Sequence, residues 1–164
     1  DGVLNQAVVR EGRPYAPRLD QLVIFPQARP ALEALKRARF VLLVVTNQPD
    51  VARGKVTRAD VEAIHQVLRR ELPLDAIFSC FHDDADQCNC RKPAPGLILE
   101  GARAFHIDRA ASFIVGDRWR DIEAGAAAGC RTVYVERGYA EKAPLTYDAK
   151  VTSLEEAARW ILAR

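Results

Sequence analysis

Short, continuously apolar runs alternate with amphipathic stretches along most of this sequence, and that alternation leaves few folds open. FVLLVV (40–45), DAIFSC (75–80), ASFIVGD (111–117) and RTVYVE (131–136) have strand length and end on turn signals or polar residues. Helical patterns separate or flank them: 26–38, 57–72, 94–107, 119–129 and 153–164. In 57–72, Thr57 is the expected N-cap, Asp60 lies in the first turn, and Val61, Ile64, Leu68 and Leu72 recur on one face. Gly129 closes 119–129, and Ser153 with Glu156 suggests a capping box for the last helix. Strands that are apolar along their whole length must be covered on both faces. The expectation is an α/β fold, a three-layer sandwich with a central parallel sheet, with irregular loops over 5–22 and 137–150.

At 164 residues the chain is long enough for a single domain with its own core. The segments between motifs are too short for a separate cap domain. The net charge of +2 is too small to indicate nucleic-acid binding. The longest apolar run, Phe40 to Val45, is far shorter than the roughly 18 residues of a membrane helix. With no signal peptide in view, the chain reads as a cytoplasmic monomer without a membrane or nucleic-acid partner.

In parallel sheets, ligands bind at the carboxyl ends of the strands. Thr46-Asn47-Gln48 follows the first apolar run, Gly116-Asp117 follows the third with Asp121 four residues on, Arg91-Lys92-Pro93 follows the cysteine cluster, and the chain opens Asp1-Gly2-Val3-Leu4-Asn5. Each has an ordinary reading as a turn or helix cap. Gathered at one edge they suit phosphoryl transfer, with carboxylates for a divalent metal and a hydroxyl and an ammonium for phosphoryl oxygens.

Cys80, His82, Cys88 and Cys90 form a Cys-x-His-x5-Cys-x-Cys pattern. Three thiols and an imidazole complete a tetrahedral zinc set, so a structural zinc is expected. The competing reading is buried cysteines beside a surface histidine. A redox pair fits less well, because one residue rather than two separates Cys88 from Cys90. The loop acids Asp83, Asp84 and Asp86 read as solvated, His65 and His106 as helical packing or surface residues, and Cys130 as a core thiol opening a strand. Arg10, Arg13 and Arg18 lie either toward a second substrate phosphate or in a solvated loop.

DGVLN, VVTNQ, RKP and VGDRWRD occur in the order seen in the haloacid dehalogenase-like phosphatases, which the chain resembles over its whole length. Within that family it is most similar to the branch containing the heptose-bisphosphate and histidinol-phosphate phosphatases, which share the Cys-x-His…Cys-x-Cys-Arg-Lys-Pro stretch. TNQPDVARGKVT leans toward the heptose type. The resemblance implies that Asp1 is the general acid/base and, with Asp117, a Mg2+ ligand. It implies that Thr46 and Lys92 bind the phosphoryl oxygens, that Asp121 orients Lys92 or the metal shell, and that Asn47, Gln48, Arg53 and Arg91 contact substrate. The family's aspartate nucleophile has no counterpart in the sequence; it is expected two positions before Asp1, on a first strand that the sheet also needs. The implied activity is removal of a phosphate from a sugar phosphate such as a heptose 1,7-bisphosphate, a step in lipopolysaccharide precursor synthesis, with the zinc loop holding Arg91 and Lys92 in place. Histidinol phosphate, a 3′-phosphorylated polynucleotide, or a non-catalytic zinc-stabilised module remain as alternatives.

Overall fold

The structure is a computed structural model that describes residues 1–164. It begins with a difference from the sequence expectation. Residues 5–22 are not wholly irregular: β1 (Val8–Arg10) and β2 (Arg13–Tyr15) form an antiparallel hairpin. Glu11 and Gly12 both take positive φ, 49° and 74°. That pair of left-handed residues gives a turn whose twist matches the flanking strands. Arg10 lies over the Tyr15 ring, which fixes it within the hairpin.

The helices α1 (Ala28–Arg37) and α2 (Arg58–Glu71) flank β3 (Leu43–Asn47), and β4 (Ala76–Cys80) follows. Then come α3 (Gly96–Ala104), β5 (Phe113–Gly116), α4 (Trp119–Ala127), β6 (Arg131–Val135), β7 (Ala149–Val151) and α5 (Leu154–Leu162). Strand β7, which begins inside the stretch expected to be loop, adds to β6 in parallel. Its three residues are too few to show a period. Helix α2 starts as the sequence requires: the Thr57 hydroxyl accepts from the Asp60 amide at 3.1 Å, and the Asp60 carboxylate accepts from the Thr57 amide at 2.7 Å. The expected box at α5 is shifted by one residue. Ser153 caps the Glu156 amide, but the Glu156 side chain reaches back to the Thr152 amide at 2.8 Å. His106 lies beyond α3, with φ 52° where the helix has already ended, whereas His65 is buried within α2.

All sheet pairings outside the hairpin are parallel: β3 with β4, and β5 with β6 and β7. Alternate residues of a strand face opposite sides, and β5 shows the consequence. Phe113 and Val115 pack with α1 and α5, while Ile114 packs with Ile98 of α3 and Ala124 of α4. One helical layer is built on Leu32, Leu35, Leu154 and Ile161, each contributing roughly 1.5–3 kcal/mol by leaving water. The result is the expected three-layer arrangement.

The two parallel sets do not pair with each other. β3 bonds only to β4, and β5 only to β6. A continuous cavity of about 780 Å³ is lined by Leu43, Val44 and Val45 on one set and by Phe113, Ile114 and Val115 on the other. The same cavity opens at the carboxyl ends onto Thr46, Lys92, Asp117 and Asp121. No helix is long and apolar enough to cross a membrane.

Candidate active site

Strand ends and one cross-strapped loop bring the polar groups together. Thr46 and Asn47 close β3, Asp117 directly follows β5, and Asp121 lies in the first turn of α4. Lys92 arrives on the loop after the cysteines, and Asn47 fastens it. Its amide nitrogen donates to the Lys92 carbonyl at 3.1 Å, and its oxygen accepts from the Lys92 amide at 3.1 Å. Gln48, also buried, donates to the Thr46 hydroxyl at 3.1 Å and so aims it. Asn47 and Gln48 therefore position Lys92 and Thr46, in addition to the substrate contacts that the resemblance assigns them.

The Lys92 ammonium meets Asp121 at 2.6 Å and the Val45 carbonyl at 2.7 Å. Burial alone would raise the Asp121 carboxyl, but Lys92 and the Arg118 amide hold it below the usual carboxylate range. Asp117 is the opposite case. Burial first, and then the nearby Asp121 charge, push it up to about 6. Lys92 is committed to Asp121, so Asp117 is a buried carboxylate that still needs positive charge. A hard divalent cation would supply it, and Asp1 offers a further oxygen donor.

The opening segment is pinned against Asp117. Asn5, fully buried, donates to Asp1 Oδ1 at 2.9 Å; Gly2 donates to the Asn5 carbonyl at 2.7 Å; and Arg137 donates to the Gly2 carbonyl at 2.8 Å. Gly2 has φ 72°, and a Cβ there would lie 1.8 Å from Asp117 Oδ2. The Tyr139 hydroxyl faces the same carboxylate, and burial together with that charge raises the phenol. Tyr139, Asn5 and Arg137 were not singled out in the sequence. Only Asn5 had a signal, its place in DGVLN; the other two come from a stretch without periodicity.

Beside this edge lies the cysteine cluster. Cys80, His82, Cys88 and Cys90 bring one donor atom each within 4.8 Å of one another. Cys80 to Cys88 is 3.6 Å, Cys88 to Cys90 3.4 Å, and His82 Nδ1 to Cys90 3.3 Å. A tetrahedron with metal–sulfur bonds of about 2.3 Å has edges of roughly 3.7 Å, so these spacings fit; Cys80 to Cys90, at 2.9 Å, is tighter. Burial and the adjacent sulfurs push the Cys90 thiol up to about 12. Burial also opposes ionisation of Cys88, but hydrogen bonds from Cys90 and nearby amides outweigh it and bring the thiol down to about 7. Cysteines placed this way could hold a metal ion and are not scattered core thiols.

Two of the loop acids read as solvated are not free. Asp83 takes Arg53 and Asp84 takes Arg91 in two-pronged ion pairs, with the Asp83 pair at 2.7 Å on both prongs. The partners lie 30 and 7 residues away, at spacings that no local pattern exposes. Arg118 pairs with Glu141, and Arg120 and Lys142 both lie over the Trp119 ring.

Parallel strands that deliver a hydroxyl, a buried Lys–Asp pair and a metal-ready aspartate to one edge define a hydrolase of phosphate esters. Comparison with known proteins agrees. A family model described as "HAD-hyrolase-like" matches residues 89–157. The chain is 37% identical over 175 residues to the D-glycero-beta-D-manno-heptose-1,7-bisphosphate 7-phosphatase of Escherichia coli (strain CFT073), covering 99% of this chain and 85% of that protein. It is 36% identical over 147 residues to the protein of the same name from Bordetella bronchiseptica, covering 87% and 80%. The crystal structure of the D,D-heptose 1,7-bisphosphate phosphatase from B. bronchiseptica, complexed with magnesium and phosphate, superposes with a TM-score of 0.82 at 31% identity, covering 99% of this chain and 94% of that one. The chain belongs to the haloacid dehalogenase-like hydrolases, and it is a phosphatase of that family.

Proposed function

We propose that the chain hydrolyses a sugar phosphomonoester through an aspartyl phosphate, and that the 7-phosphate of D-glycero-D-manno-heptose 1,7-bisphosphate is the first substrate to consider. The observation that carries this reading is the convergence of Thr46, Lys92, Asp117 and Asp121 at one mouth of the cavity between β3 and β5. Thr46 and Lys92 bind the phosphoryl oxygens. Asp121 keeps Lys92 charged and aimed. Asp117 and Asp1 hold magnesium, as the donor set permits; bound there, it neutralises phosphoryl charge. Asp1 protonates the leaving sugar oxygen and then takes a proton from the attacking water. Cys80, His82, Cys88 and Cys90 hold a structural zinc.

The nucleophile belongs to a strand preceding Asp1. The support for it is the slot: two facing parallel edges with unpaired amides and carbonyls, separated by an apolar cavity, are the environment that a buried parallel strand satisfies on both sides. A strand seated there would end beside Asp117.

The test is phosphate release by the full-length chain from heptose 1,7-bisphosphate, histidinol phosphate and a 3′-phosphorylated oligonucleotide. Magnesium-dependent release with the highest kcat/KM on the heptose is expected. Higher efficiency on histidinol phosphate would replace the substrate, and no release from any phosphomonoester would overturn the proposed reaction.

A further inference from the structure

The rim of the cavity carries more positive side chains than one phosphate needs, and the zinc loop has already engaged them. Arg53, Arg91 and Arg120 line the same cavity as Thr46 and Lys92. The edge of a guanidinium that carries Nε and one Nη is the natural dock for a phosphate. On Arg53 that edge is occupied by Asp83, at 2.7 Å on each prong. On Arg91 it is occupied by Asp84, at 2.9 and 3.3 Å. Asp84 also accepts from Arg120 at 3.2 Å, and Asp50 accepts from Arg53 at 3.2 Å.

The two carboxylates are placed to compete with substrate rather than to fill a core. The Asp84 side chain is 57% exposed and the Asp83 side chain 28%. Arg91 is 11% exposed and gives its remaining Nη1 to the His82 carbonyl at 3.4 Å, so it cannot swing out to meet a ligand without leaving the loop. A second anionic group on the substrate meets occupied arginines and two negative carboxylates. A hydroxyl-rich, uncharged remainder meets good hydrogen-bond acceptors.

We infer that Asp83 and Asp84 are specificity-determining residues: they compete with a second substrate phosphate for Arg53, Arg91 and Arg120, and so lower the preference for a bisphosphate over the matching monophosphate. The inference rests on the phosphatase reading and deepens it, since it concerns the charge accepted at the far end of the same site.

Asp84→Asn and Asp83→Asn remove the competing charge and keep an acceptor oxygen. The experiment measures kcat/KM for heptose 1,7-bisphosphate and for heptose 7-phosphate in the full-length wild-type enzyme and in each variant, with zinc content and melting temperature recorded for both. The expected result is a rise of about tenfold in the bisphosphate-to-monophosphate ratio, carried by KM. An unchanged or lower ratio in both variants would overturn the inference. The Asp83 variant acts through Arg53, so it still decides the matter if Asp84→Asn loosens the zinc loop. Calorimetric binding of pyrophosphate against phosphate is the second readout. If the wild type hydrolyses neither sugar phosphate, the phosphatase reading fails, while a tenfold gain for pyrophosphate in the variants still supports competition at the rim and no gain refutes it.

Discussion

The cysteine cluster lies within the loop that delivers Lys92 to the carboxylate edge, and cluster and edge are ordered in opposite ways. At the edge, Thr46, Asn47 and Asp117 take their positions from paired strands, so the sheet's hydrogen bonds do the placing. In the loop, between Cys80 and Lys92, the one regular element is a single 3₁₀ turn, Asp84–Asp86. Its order comes from side chains: four donor atoms within 4.8 Å of one another, and the two arginine–aspartate pairs. The edge is also short of positive charge at Asp117, whereas the cluster is complete in donors. A group on a strand end can be removed with a loss confined to chemistry and local charge. A donor in the loop cannot be removed without loosening what the loop delivers.

Lys92 separates those two kinds of loss, and its removal carries the largest expected effect. Lys92→Ala takes away the cation proposed to bind the phosphoryl oxygens, for which a rate loss of about 10²–10³-fold is expected. It also leaves Asp121, whose side chain is 10% exposed, buried without a partner. Breaking a buried pair on one side costs about 3–5 kcal/mol. The double variant Lys92→Ala/Asp121→Asn should therefore recover most of the melting temperature and none of the rate. Recovery of both would mean that the pair is structural and that the phosphate is bound elsewhere.

Cys88→Ser attacks the loop. Zinc content should fall, with a melting temperature lower by roughly 5–10 °C, the equivalent of about 2–3 kcal/mol for a chain of this size. The rate should fall about tenfold, because Lys92 would keep its bonds to Asn47, Asp121 and the Val45 carbonyl but lose the ordered loop that delivers it. Zinc measured at the wild-type level in the variant would show that the cluster is wrongly assigned. A rate loss as large as that of Lys92→Ala would remove the distinction between the loop and the edge.

The same contrast explains what the sequence disclosed. The strand ends were legible because an apolar run followed by Thr46-Asn47 or Gly116-Asp117 is a local pattern, and the four cluster donors fall within eleven residues, Cys80 to Cys90. The pairing of Asp83 with Arg53 was not, because it joins separate segments 30 residues apart. Asp83, Asp84 and Asp86 are alike in a loop pattern, and only tertiary contact gives two of them arginine partners. The β1–β2 hairpin had a signal in Glu11-Gly12 between short extended segments, but three-residue strands are too short for an alternation to stand out. The slot between β3 and β5 could be expected from a resemblance, not from periodicity, since periodicity describes elements and not which edges remain unpaired.

Tyr139→Phe carries the smallest expected effect and tests the charge deficit of the edge most directly. The phenol hydroxyl faces Asp117 and helps to stabilise its ionised form against burial. Removing the hydroxyl leaves the ring packing intact, so the melting temperature should stay within a degree or two. The Asp117 carboxyl, already pushed up to about 6 by burial and by Asp121, should rise further. Magnesium must displace a proton from any Asp117 that is protonated. Its calorimetric dissociation constant should therefore weaken a fewfold near pH 6 and converge on the wild-type value at higher pH, where both proteins are ionised. The sign follows from the order of events: a raised carboxyl keeps its proton to higher pH, so the loss appears on the acid side. Weakening that is equal at all pH values would mean that Tyr139 acts on the metal shell by geometry instead. Unchanged binding at every pH would show that Asp117 does not depend on the hydroxyl, or is not a ligand.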